Sequence, residues 1–87
     1  MKTIAKSIEM ISWTEENGKI HPLKFKLSQN EGENHIYKIR KIYTSELEKL
    51  AGNKIYKFTC EIVINNTIKV CELRYELDSC RWVLFKL

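Results

Sequence analysis

Five cations and one tyrosine carry the most chemical promise in this chain: Lys24, Lys26, Lys38, Arg40, Lys41 and Tyr43. Lys24 and Lys26 alternate with Leu23, Phe25 and Leu27, while Lys38 and Arg40 alternate with Tyr37 and Ile39. Side chains two apart share a strand face, so the apolar set turns inward and the cations turn outward. Pairing Leu27 with Tyr37 sets Phe25 opposite Ile39, Lys26 opposite Lys38 and Lys24 opposite Arg40. Like charges held directly opposite are mildly destabilising, so a negatively charged partner would relieve them. The expectation is that most of these four cations lack a carboxylate partner. A basic sheet face with aromatics nearby is how small β-domains hold single-stranded nucleic acid. The competing reading is a solvated face whose lysines discourage edge-to-edge pairing.

Other reactive side chains point to no chemistry. His21 precedes Pro22 and His35 ends a polar stretch, and neither has Ser or Cys at a recognisable catalytic spacing. Both are expected as exposed loop histidines. Cys60, Cys71 and Cys80 are spaced by 11 and 9, too far apart for the paired ligands of a small zinc site. They are expected as free, mostly buried thiols in a reducing compartment. The acids Glu15, Glu16, Glu31, Glu33 and Asp78 are scattered or flank turns, and no phosphate-binding glycine motif occurs. The reading is no catalytic residue, no metal and no cofactor.

A chain of 87 residues with 44% hydrophobic and 30% charged side chains has room for one domain of ordinary globular type. The opening Met1-Lys2-Thr3-Ile4-Ala5-Lys6 leads into Ser7 and Glu9 and forms no apolar signal-peptide core. No apolar run approaches the roughly 18 residues a membrane span needs, so the expected location is cytoplasmic, with no membrane contact. A net charge of +4 permits an acidic partner without demanding one.

Elements must position the cations, and the strand period dominates. Tyr56, Phe58, Cys60, Ile62 and Ile64 recur at every second position, with Lys57, Thr59 and Glu61 between them, before Asn65-Asn66, a pair that tolerates the left-handed turn of a two-residue hairpin. Counting back sets Ile62 opposite Lys69, Cys60 opposite Cys71, Phe58 opposite Leu73 and Tyr56 opposite Tyr75. A turn at Asp78-Ser79 admits two registers for the last strand. One sets Glu76 opposite Arg81 and Tyr75 opposite Trp82, giving a charge pair and an aromatic pair; the other sets Tyr75 opposite Val83.

Earlier, residues 7–13 read as a strand with Ile8 and Met10 on one side and Ile11 and Trp13 on the other. Glu15-Glu16-Asn17-Gly18 is a turn, and Pro22 places the next strand's start or a sheet edge there. Residues 28–34 read as a polar loop. Ile36, Ile39 and Ile42 recur every third position, which breaks the strand period and predicts a bulge or bend. Ser45 and Glu48 fit a capping box, predicting one short helix over residues 45–51 closed by Gly52 or Asn53. Phe25, Ile39, Phe58, Ile62, Leu73, Leu84 and one of the two tryptophans, Trp82 in preference to Trp13, are the expected core.

The spaced elements Pro22-x-x-Phe25, Ile36-Tyr37-Lys38-Ile39, Tyr56-Lys57-Phe58, Tyr75-Glu76-Leu77 and Arg81-Trp82-x-Leu84 resemble a family of short uncharacterised bacterial all-β domains. Some of those domains lie beside or within Y-family DNA polymerase proteins, so the resemblance implies a role near DNA metabolism. The combined expectation is a mainly β single domain of five or six antiparallel strands, a bent sheet or partly open small barrel with one short helix. The expected role is a non-catalytic binding module whose partner is nucleic acid or a nucleic-acid-processing protein. The alternative is a protein-interaction module or homodimer that uses an apolar strand edge.

Overall fold

A computed structural model describes residues 1–29 and 32–87. Six strands follow one another as an antiparallel meander: β1 (Thr3–Thr14), β2 (Ile20–Gln29), β3 (Glu33–Leu50), β4 (Asn53–Ile64), β5 (Thr67–Glu76) and β6 (Arg81–Lys86). β6 returns to pair with β1, so the sheet closes into a small barrel. β1 and β3 make the closure possible by serving two neighbours each. β1 pairs with β6 through residues 3–8 and with β2 through residues 9–14. β3 pairs with β2 through residues 33–38 and with β4 from Ile39 onward.

Bulges bend these shared strands. An extra residue enters β1 between Thr3 and Lys6, where Ala5 takes φ 52°. Two more shifts fall in β3, between Ile39 and Lys41 and between Ile42 and Thr44. The extra residue between Ile39 and Lys41 lets Ile39 and Ile42, three apart, both turn to the core, whereas Ile36 lies on the outer face and is exposed. Pro22 sits where β2 has β1 beside it but has not yet met β3, so its missing donor breaks no ladder on that side.

The expected helix over residues 45–51 is absent. Residues 45–50 continue β3, with Ser45 opposite Phe58 and Leu50 opposite Asn53. A helix of seven residues is too short to stand on its own, whereas pairing with β4 satisfies the backbone. It also sets Glu46 and Glu48 beside Lys57. The hairpin turns at Ala51 (φ 49°) and Gly52 (φ 87°), the two positive φ values of a type I′ turn. Alanine is disfavoured there by about 1–2 kcal/mol. Ala51→Gly should therefore raise stability by about 1 kcal/mol in a urea melt, a gain that a helix at this position would turn into a loss.

The β4–β5 hairpin has the expected register, with Asn65 and Asn66 at φ 50° and 61°. β6 takes the register that pairs Glu76 with Arg81 and Tyr75 with Trp82. The core holds Phe25, Leu27, Phe58, Cys60, Ile62, Cys71, Leu73, Trp82 and Leu84. Ile39 packs against this centre instead of forming part of it. Trp82 lies between Phe58 and Tyr75, with ring centroids 5.5 and 5.0 Å away.

Candidate nucleic-acid interface

The barrel wall made by β1, β2 and the first half of β3 presents the predicted cations outward. Their pairing differs from expectation by a shift of two residues. Lys24 stands opposite Lys38, Phe25 opposite Tyr37, Lys26 opposite Ile36 and Leu27 opposite His35. A shift of two preserves every side chain's face, so Phe25 remains inside and the lysines outside. The polar stretch shortens, because Ser28 and Gln29 pair with Asn34 and Glu33 as strand residues; Asn30 and Glu31 lie outside the described residues.

Bulging decides what happens past Lys38. Ile39 and Ile42 oppose the buried Ile62 and Cys60, while Lys41 opposes Glu61 on the outer side. Arg40 and Tyr43, the residues between these registers, also reach Glu61: Arg40 Nη1 at 3.3 Å and the Tyr43 hydroxyl by donating to its carboxylate. Arg40, Lys41 and Tyr43 therefore all join the outer face.

Carboxylates claim some of this set. Lys26 Nζ lies 2.6 Å from Glu9, and Arg40 is the partner of Glu61. Two of the four cations expected to be mostly unpaired thus have partners. Among the described residues, Lys24, Lys38 and Lys41 have no carboxylate within ion-pair distance. Tyr43 is tied down as well: Lys41 Nζ sits 5.3 Å from its ring centroid, and the Glu61 contact holds its phenol above the usual value. Tyr37 turns inward against Phe25, with ring centroids 5.5 Å apart.

Opposed cations elsewhere are treated differently. Lys57 and Arg74 also face each other, but Lys57 meets Glu48 at 2.9 Å and Arg74 meets Glu72 at 2.8 Å while stacking over Phe85. Lys49 and Lys54 oppose each other near the β3–β4 tip, away from any groove described here. Among the described residues, the opposed Lys24 and Lys38 adjoin two apolar concavities. One, of about 260 Å³, is lined by Met10, Ile11, Lys24, Phe25, Lys26 and Ile36 with Glu9. The second, of about 530 Å³, is lined by Ile36, Lys38, Ile39, Arg40 and Val63. Ile36, 66% exposed, is the ridge between them.

The sequence reading missed the far end of this wall. His21 is a strand residue, not a loop one: it pairs with Trp13, and the two rings stack at 4.6 Å and 19°. His21 Nε2 lies 2.6 Å from Glu15 Oε2. His35 is likewise in a strand, stacked loosely on Tyr37. Ile11 and Trp13 are exposed here, and so is Leu23, which alternation turns inward but which stands as the extra residue of β2 where the pairing shifts. Alternation places Trp13 and Ile11 on one face, and the pairing of β1 with β2 shifts between Ile11 and Ser12.

The cysteines divide by burial. Cys60 and Cys71 face each other in the core as free thiols, Sγ to Sγ 3.4 Å, and Cys80 is exposed, contrary to its expected burial. The contact with Cys71, together with burial, pushes the Cys60 thiol up. A thiol reagent should label Cys80 alone in the native protein and all three after denaturation, because only an accessible thiolate reacts. Two or three labels on the folded chain would contradict the packing. No known protein family, curated protein or solved structure matches the chain.

Proposed function

We propose that this domain is a non-catalytic module that holds single-stranded nucleic acid across the outer wall of β1, β2 and β3. The observation that carries the proposal is the direct opposition of Lys24 and Lys38, without a carboxylate partner among the described residues, beside two apolar grooves. Opposed like charges cost stability that a phosphate backbone would recover, and apolar side chains between cations suit the faces of unpaired bases. Lys41 extends the cationic track. A cytoplasmic location belongs to the same proposal.

A second reading, a homodimer built on an apolar strand edge, has one supporting feature. β6 pairs with residues 72–76 of β5, leaving 67–71 open on that side among the described residues, with Ile68 and Val70 exposed. A symmetric antiparallel pair centred on that edge would set Lys69 against its own copy, an opposition that discourages association.

A mobility-shift titration on single-stranded DNA separates the two. The proposal requires a shift at ~50 mM salt that weakens steeply by ~200 mM, since bound phosphates release counterions. Absence of a shift at ~50 mM, with a dimer that salt does not dissociate, would replace the first reading by the second.

A further inference from the structure

We propose that Trp13, backed by His21, is a base-stacking platform that seats one unpaired base at the end of the cationic track; this rests on the nucleic-acid reading above. Three observations converge on it. Trp13 is 55% exposed although one face of its indole is covered by the His21 ring at 4.6 Å, which leaves the opposite face to solvent. The stack is held in place, because His21 Nε2 is bound to Glu15 at 2.6 Å and Glu15 is fixed in the turn by backbone hydrogen bonds to Lys19 and Gly18. A rigid, pre-stacked aromatic loses little freedom when a further ring is added to it.

The third observation is position. His21 and Lys24 pair with Trp13 and Ile11, two residues apart on β1 and so about 7 Å at strand rise, and Lys24 stands beside Lys38. A chain whose phosphates lie on Lys24 and Lys38 would bring a neighbouring base over Trp13, with Ile11 and Leu23 as the apolar floor between. Among the described residues, no other exposed aromatic on this wall is equally open. Tyr43 carries Lys41 near its ring and gives its hydroxyl to Glu61, and Tyr37 is packed on Phe25. Stacking onto an indole is tolerant of base identity, so the inferred ligand is single-stranded nucleic acid of relaxed sequence preference, not a duplex, whose bases are already stacked.

The test uses a labelled oligothymidylate longer than the barrel's 35 Å axis, at ~50 mM salt, read by anisotropy and by tryptophan fluorescence. Trp82 is buried between Phe58 and Tyr75, so quenching on binding reports Trp13. The inference expects quenching in the native protein. It expects affinity to fall roughly tenfold or more in Trp13→Leu and to be largely kept in Trp13→Phe, which retains a ring. Circular dichroism melts of both variants should match the parent, since Trp13 lies outside the core. Binding that depends on Lys24 and Lys38 but shows no quenching, with Trp13→Leu binding as the parent does, would overturn the platform and leave the proposed function standing. Absence of binding by the native protein would overturn both.

Discussion

Lys24→Glu combined with Lys38→Glu is expected to abolish retention of single-stranded DNA or RNA at ~50 mM salt while leaving the fold intact. Two phosphate contacts become two repulsions, and each lost contact lowers the salt slope by about 0.7 on single strands. The substitutions also take the formal net charge from +4 to zero, so a matched control is needed. Lys49→Glu with Lys54→Glu makes the same change in charge at another directly opposed pair, and this variant should still bind. Lys26→Ala should have a smaller effect than Lys24→Ala, because Lys26 is already engaged by Glu9 at 2.6 Å. Exposed charges contribute little to stability, so urea midpoints should be nearly unchanged. Equal loss in both double variants would mean that the protein senses bulk charge and has no site.

Phe58→Ala should cost about 3–5 kcal/mol. Phe58 is fully enclosed: it pairs with Leu73 across β4 and β5, packs on the Trp82 ring and faces Ser45 on β3. Its removal opens a cavity that three strands border, and a closed barrel has little freedom to collapse into it. A domain of this size has a total stability of about 5–10 kcal/mol, so the variant should be largely unfolded at 37 °C. Chemical denaturation followed by circular dichroism measures this. A loss under about 1 kcal/mol would show that Phe58 is not the centre of the core.

The parts of the fold that alternation and a short turn determine together were legible from the residues. Around Asn65-Asn66, two alternating strands and a two-residue turn leave one register that buries Phe58, Cys60 and Leu73 on the same side. Between β2 and β3 the same alternation identified which residues face outward, but the polar stretch between Leu27 and Ile36 supplied no anchor. The register therefore differs by two, and Lys38 faces Lys24 in place of Lys26. At residues 45–51 a local capping signal competed with pairing to β4 some ten residues away, and the longer-range contact prevailed. The Trp13–His21 pair follows from the 15–18 turn, but its place beside Lys24 was not legible: an extra residue at Leu23, next to Pro22, shifts the pairing between Ile11 and Ser12.

Nucleic acid held on the outer wall of β1, β2 and β3 should leave a footprint there when single-stranded oligothymidylate is titrated into isotope-labelled protein at ~50 mM salt and amide chemical shifts are followed. Shifts are expected to concentrate at Ile11, Trp13, His21, Lys24, Ile36, Lys38 and Lys41, with little change along β6 or at the Lys49 and Lys54 hairpin tip. Shifts confined to the open edge of β5 around Ile68 and Val70, or no shifts at all, would contradict that placement.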